Sequence, residues 1–278
     1  MRRNLHIDPE HGPMAMAEGI VYKQVESWYG GDNRALLLNV IRRYDGPRPL
    51  IVWLTGGGWS QVSKNVHVPE LVYLVEAGFT VATVEYRSSE AGCFPAPLED
   101  VKAAIRYLRA NAERWNIDPD HVGIMGESAG GHLANLAGTT SWTREFDTDE
   151  NLDQSSAVQA VCAWYGPSDF TVMFEDSYNP ASPDSLMIGC TAYGHPDKAK
   201  YVSPITYVRE GIPPFLLIHG LEDTTVPFDQ SERLYNAIEK VGGKVDLIAI
   251  EGAVHGDARF VSPEIRSEIV NFFKENLK

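Results

Sequence analysis

Cysteine is scarce. Cys93, Cys162 and Cys190 form an odd, scattered set without CxxC spacing, which excludes a disulfide framework and the usual thiolate zinc sites. Cys162 falls in an apolar run and reads as core, whereas Cys93 and Cys190 stand in loop-like sequence, where a bridge between them stays open. Basic residues are also short: 24 Lys and Arg face 38 Asp and Glu, a formal charge of −14. No Lys/Arg run offsets that balance, so a nucleic-acid partner, which needs a concentrated basic patch, is excluded. No apolar stretch reaches the ~20 residues of a membrane span. The polar first ten residues lack the hydrophobic segment of a secretory signal, which makes the cytoplasm the expected compartment. His, Cys and acidic residues do not cluster at ligand spacing, and neither a P-loop nor a GxGxxG fingerprint occurs, so no metal or cofactor is expected.

What the sequence has is alternation of strand and helix patterns over nearly all 278 residues, which reads as one α/β domain spanning 1–278. Apolar and β-branched runs predict strands at 20–28, 35–41, 50–54, 79–86, 121–125, 158–164, 215–219 and 245–250. The first two are joined by a Gly30-Gly31-Asp32-Asn33 turn. Helical spacing predicts helices at 69–76, 97–115, 129–137, 230–241 and 263–277. This order implies a mostly parallel central sheet with right-handed crossovers, flanked by helices and opening on an antiparallel pair. Two segments interrupt it: 139–156 is polar and acidic, and 165–200 is rich in Pro, Ser, Asp and aromatics. Both read as lid-like insertions at the carboxyl end of the sheet, where open α/β folds bind ligands.

Gly126-Glu127-Ser128-Ala129-Gly130 matches G-x-S-x-G. Alone the pattern is weak. Here an apolar strand leads in and a helix-forming run leads out, which sets Ser128 on a tight strand-to-helix turn. A hydroxyl in that position becomes a nucleophile only beside a base, and sheets of this kind deliver an acid and then a histidine after later strands. His255, flanked by Gly252 and Gly256 after the last strand, is the base, with His219 and His132 as competitors of more structural character. Asp223 is the acid that orients it, with Glu222 second and Asp257 nearby. A negative oxygen formed at an attacked carbonyl needs donors already in place. Ala129, next to Ser128, and Gly57 and Gly58 in the Thr55-Gly56-Gly57-Gly58-Trp59 loop supply them. Trp59 and Val226 are candidate walls of a substrate pocket, and Met173, Phe174, Tyr178 and Met187 lie in the second lid-like segment.

With these residues in place, the chain resembles the α/β-hydrolases of the hormone-sensitive-lipase-like esterase group, most of all the branch of bacterial carbohydrate and feruloyl esterases. The carriers are the Gly-Gly-Gly-Trp loop at 56–59, Tyr86-Arg87, and Phe94-Pro95-Ala96-Pro97-Leu98-Glu99-Asp100-Val101. Asn116-Ile117-Asp118-Pro119, Gly126 to His132, Tyr165-Gly166-Pro167-Ser168-Asp169, Ser203-Pro204 and the stretch from His219 to Pro227 complete them. The resemblance implies the α/β-hydrolase fold, no cofactor, and a serine carboxylesterase acting through an acyl-enzyme. Its expected substrates are phenolic (feruloyl) or acetyl esters of plant-cell-wall carbohydrate. A broad short-chain carboxylesterase, an arylformamidase-type amidase and a non-catalytic binding relative are the alternatives. One departure stands out: Thr55 occupies the place before the glycines where the family usually has a histidine that braces the loop.

Overall fold

The computed structural model describes residues 2–27, 30–148, 150–172 and 178–278. Its strands are β1 (Met14–Glu26), β2 (Asn33–Arg43), β3 (Arg48–Leu54), β4 (Thr80–Val84), β5 (Ile117–Glu127), β6 (Ala160–Trp164), β7 (Phe215–Gly220) and β8 (Val245–Ile250). Among the described residues they form one sheet in the order β1-β2-β4-β3-β5-β6-β7-β8. β1 with β2 and β2 with β4 run antiparallel, and every later pair is parallel.

The helices are α1 (Val68–Glu76), α2 (Ala96–Ala110), α3 (Ala112–Trp115), α4 (Ser128–Thr139), α5 (Pro183–Ile188), α6 (Pro196–Val202), α7 (Asp229–Lys240) and α8 (Pro263–Asn276). They cover both faces of the sheet, which is why the central strands read as continuous apolar runs. Leu50, Val52 and Leu54 of β3 point to one face, whose core they share with Leu98 and Ile105 of α2, Leu133 of α4 and Leu234 of α7. Ile51 and Trp53 point to the other, against Leu71 of α1 and Ile269 and Phe273 of α8. Among the described residues no helix is long and apolar enough to cross a membrane.

Several boundaries differ from those read in the sequence. β1 begins at Met14, because register irregularities between Ala17 and Ile20 and between Val21 and Lys23 hide its alternation. Trp28, at the end of the expected strand, lies outside the described residues. The helix expected over 97–115 breaks after Ala110, and Asn116 closes the short α3 in the left-handed region at φ 52°. All three cysteines are free, so Cys93 and Cys190 form no bridge.

The larger correction concerns 139–156. Helix α4 starts at the carboxyl end of β5, and its 12 residues run back along the sheet for about 18 Å. The chain therefore emerges from α4 at the amino end of the sheet, where β6 begins. The described residues of the segment lie at the end of the sheet opposite the lid position and are held there by α2. Lys102 Nζ donates to Thr140 O at 3.0 Å, Arg106 pairs with Asp147 at 3.0 Å, and Phe146 is buried. Its polarity reflects these ion pairs and carbonyl contacts. Of the described residues in 165–200, Tyr165, Pro167 and 182–184 stand beside Ser128 at the carboxyl end of the sheet, and the segment carries α5 and α6.

Candidate active site

β5 ends at Glu127 and α4 begins at Ser128 without an intervening loop. This junction leaves Ser128 at φ 50°, in the left-handed region that costs a non-glycine residue about 1–2 kcal/mol. It also presses the backbones together. A Cβ on Gly126 would stand 2.4 Å from Gly130 O, and one on Gly130 would stand 2.1 Å from Leu54 O. The two glycines of the motif are thus fixed by the close approach of turn, helix and β3.

His255 and Asp223 reach this turn from the loops after β8 and β7. Ser128 Oγ lies 2.9 Å from His255 Nε2, and His255 Nδ1 lies 2.7 Å from Asp223 Oδ2. Burial raises the Asp223 carboxyl, but hydrogen bonds from His219, His255 and the Val226 N–H outweigh it and hold the group well below the usual carboxylate range. An ionised Asp223 only accepts, so His255 Nδ1 carries the proton and Nε2 offers its lone pair to the serine hydroxyl. A hydroxyl, an imidazole and a carboxylate in this sequence of hydrogen bonds can activate an oxygen nucleophile.

The competing histidines are engaged elsewhere. His219 is fully buried. Its Nε2–H donates to Val226 O at 2.9 Å and lies 3.4 Å from Asp223 Oδ2, and its Nδ1 accepts from Ser231 Oγ at 2.7 Å. His132 Nε2–H donates to Val202 O at 2.7 Å, and Nδ1 accepts from Trp59 Nε1 at 3.2 Å. Glu222 is exposed, and Asp257 pairs with Arg259.

The glycine loop faces the same point. Gly57 and Gly58 take φ +110° and +59°, and a Cβ on Gly57 would meet Gln61 O at 2.4 Å. Among the described residues no hydrogen bond engages their N–H groups. Ala129 lies in the first turn of α4, where N–H groups have no helical acceptor. Thr55 braces the loop in place of the expected histidine: its Oγ1 donates to Ser63 O at 3.0 Å, and its carbonyl accepts from Tyr86 at 2.8 Å.

All of this opens on a cavity of about 500 Å³. Gly57, Gly58, Trp59, Ser128, Val226 and His255 are in its wall, together with Glu127, Tyr165, Pro183 and Asp184. Trp59 keeps its indole N–H on His132 and shows the cavity only a small part of its surface, being 4% exposed. Two residues of the second segment are not in the wall: Met187 is buried in the core, and Tyr178 is exposed and packs on Tyr193. Met173 and Phe174 lie outside the described residues.

The sequence reading missed a second polar cluster beneath Ser128. Glu127 Oε1 accepts from His67 Nε2 at 2.8 Å and from the Gly56 N–H at 3.3 Å, and Oε2 accepts from Tyr165 at 2.8 Å. The Tyr165 ring in turn packs edge-on against the His255 imidazole at 4.6 Å. One carboxylate so ties the glycine loop to the residue that backs the imidazole. Glu127 fills the variable place of the serine motif, and nothing in sequence spacing links it to residue 67.

The histidines predict the pH response. The Glu127 hydrogen bond, against the cost of burial, raises His67 from 6.5 to about 9. Its contribution to stability is complete below about 6.5 and is lost as pH rises through about 9. Burial lowers His132 from 6.5 to about 4, despite its bond to Val202 O. Its contribution is complete above about 6.5 and falls away toward pH 4, by about 3 kcal/mol in total. Urea midpoints should therefore be highest near pH 6.5, falling toward pH 4 as His132 is forced to charge and toward pH 9 as His67 loses its proton. An imidazole NMR titration should find His132 still neutral at pH 5, and a normal titration there would refute the assignment.

The BD-FAE family model matches residues 39–238, most of the chain and the stretch that carries the glycine loop, Ser128 and Asp223. The chain belongs to the BD-FAE family. Its BD-FAE sequence is 31% identical to Esterase LipC of Mycobacterium tuberculosis over 237 residues, covering 81% of this chain and 58% of that protein. The chain spans between 51% and 58% of the length of the first three curated relatives it matches. A truncated carbohydrate esterase from gut microbiota superposes with a TM-score of 0.86 at 29% identity, covering 96% of this chain and 98% of the other. A propionate-bound thermophilic esterase from Thermogutta terrifontis superposes at 0.74 with 27% identity, covering 93% and 92%. These likenesses and the sheet order make this BD-FAE member an α/β-hydrolase of the esterase group.

Proposed function

We propose that the chain is a serine carboxylesterase with Ser128 as nucleophile, His255 as general base and acid, and Asp223 as the group that fixes the imidazole. The observation that carries this reading is the unbroken hydrogen-bonded path from Ser128 Oγ through His255 to Asp223, opening on a cavity beside uncommitted N–H groups. His255 takes the hydroxyl proton as Oγ bonds to the ester carbon. The carbonyl oxygen becomes negative and is held by the N–H groups of Gly57, Gly58 and Ala129. Collapse breaks the bond to the alcohol, which leaves with the proton from His255. Water repeats the sequence on the acyl-enzyme, freeing the acid and restoring the hydroxyl.

The substrates we propose are acetyl or feruloyl esters of plant-cell-wall carbohydrate. The likeness to a carbohydrate esterase over nearly the full length of both chains supports the carbohydrate part. The propionate-bound neighbour favours a second reading, a broad short-chain carboxylesterase. Trp59 and Val226 would bound the acyl group. Purified protein should be assayed on methyl ferulate, acetylated xylan, p-nitrophenyl esters from acetate to decanoate, and N-formylkynurenine. The first reading expects the highest kcat/KM on the ferulate or the xylan. A preference for simple p-nitrophenyl esters selects the second, and inactivity on every ester ends both.

A further inference from the structure

Asp184, the second residue of α5, is 5% exposed and stands in the wall of the Ser128 cavity. Its Oδ2 is buried with no hydrogen-bond partner, and no cation pairs with the side chain among the described residues. Other buried carboxylates differ. Asp100 receives Arg87 and Lys23, and Asp223 receives His255 and two backbone N–H groups. Nor does Asp184 serve as the cap of α5, because Ser182 Oγ already accepts from the Ser185 N–H. A buried carboxylate oxygen without a donor is costly, and a turn of the Asp184 carboxylate toward the cavity its residue lines would let an occupant supply that donor.

The position relative to the chemistry is defined. Pro183, directly before Asp184, abuts the glycine loop so closely that a Cβ on Gly58 would stand 3.3 Å from Pro183 Cβ. Asp184 is therefore on the flank of the cavity formed with that loop. Over the whole cavity the wall also holds the apolar faces of Trp59, Tyr165, Pro167, Pro183 and Val226.

We propose that Asp184 accepts a hydrogen bond from a hydroxyl group of the bound ester, and so selects hydroxyl-bearing substrates of the sugar class. A neutral hydroxyl brings one donor at little desolvation cost, which suits a single free acceptor in an apolar wall. An ammonium would bring a full charge, whose desolvation one such acceptor repays poorly. The inference rests on the ester-hydrolysis reading and names the polar group by which that site tells its substrates apart.

The test compares methyl 2-O-acetyl-β-xyloside with its 3,4-dideoxy counterpart, with p-nitrophenyl acetate as a reference for ester hydrolysis. Wild-type protein should favour the hydroxylated ester by about 10–100-fold in kcat/KM. In Asp184→Asn and Asp184→Ala that ratio should fall toward one, mainly through a higher KM for the hydroxylated ester. Both variants should melt at or above the wild-type temperature, whereas a carboxylate serving the fold would lower it. A wild-type ratio near one, or a ratio kept by both variants, overturns the role of Asp184 and leaves the esterase reading standing. Failure of wild-type protein on all three esters, p-nitrophenyl acetate included, removes the esterase reading and this inference with it.

Discussion

Replacing Ser128 by alanine should lower kcat on p-nitrophenyl acetate by about 10⁴-fold or more without harm to the fold. The hydroxyl lies 2.9 Å from His255 Nε2 at the mouth of the turn. Without it no acyl-enzyme forms, and only the oxyanion donors and substrate binding remain to assist water. The fold should survive because the strain at this position belongs to the backbone. At φ 50° alanine inherits the penalty that serine already bears. Glycine does not. Relief of about 1–2 kcal/mol of left-handed strain outweighs the roughly 0.4–1 kcal/mol that glycine adds in unfolded-chain entropy. Ser128→Gly should therefore be as inactive as the alanine variant and more stable in urea, by up to about 1 kcal/mol. Turnover surviving in either variant would take the nucleophile's role from residue 128.

The second large effect is expected at the acid. Asp223→Asn should reduce kcat by about 10⁴-fold with KM little changed. The geometry dictates which way the new amide faces. Asp223 Oδ1 accepts from the N–H groups of Thr225 at 2.8 Å and Val226 at 2.9 Å, so the amide oxygen must take that place. The NH₂ is then left where Oδ2 stood, 2.7 Å from His255 Nδ1. A donor there forces Nδ1 to become the acceptor and moves the ring proton to Nε2, which can no longer accept the serine hydroxyl. Steady-state kinetics with a ¹⁵N imidazole spectrum would show both changes. A variant that keeps its rate with the proton on Nε2 would show that Asp223 does not set the tautomer for catalysis.

Much of this arrangement could be read from the sequence because its signals are local. The run through Val122 and Ile124 into Gly126 and Ser128, then the Ala- and Leu-rich stretch, specifies a strand, a turn and a helix within twenty residues. The three glycines after a buried strand mark a tight loop, in which the N–H groups of Gly57 and Gly58 are left without an acceptor among the described residues. His255 and Asp223 are marked in the sequence by their places after late strands. The cavity wall was harder. Trp59 and Val226 line it, whereas Met187, an apolar residue of the second segment, packs in the core. An apolar side chain in a loop carries no mark of which surface it faces. The polar segment at 139–156 reads as a lid for a similar reason, since its partners on α2, Lys102 on the Thr140 carbonyl and Arg106 on Asp147, lie some forty residues earlier.

By itself the sequence determined the eight strands, the main helices and their order, and the residue types that the proposed ester chemistry requires. These follow from side-chain periodicity and turn sterics, which act over a few residues. Only the tertiary structure decided what meets what. It brought His67, Gly56 and Tyr165 onto Glu127, set the described residues of 139–156 against α2 at the far end of the sheet, and left Asp184 buried beside the cavity without a donor. Hydrogen bonding and burial depend on distances between distant parts of the chain. Those are fixed by strand order and helix packing, and no short stretch of sequence encodes them.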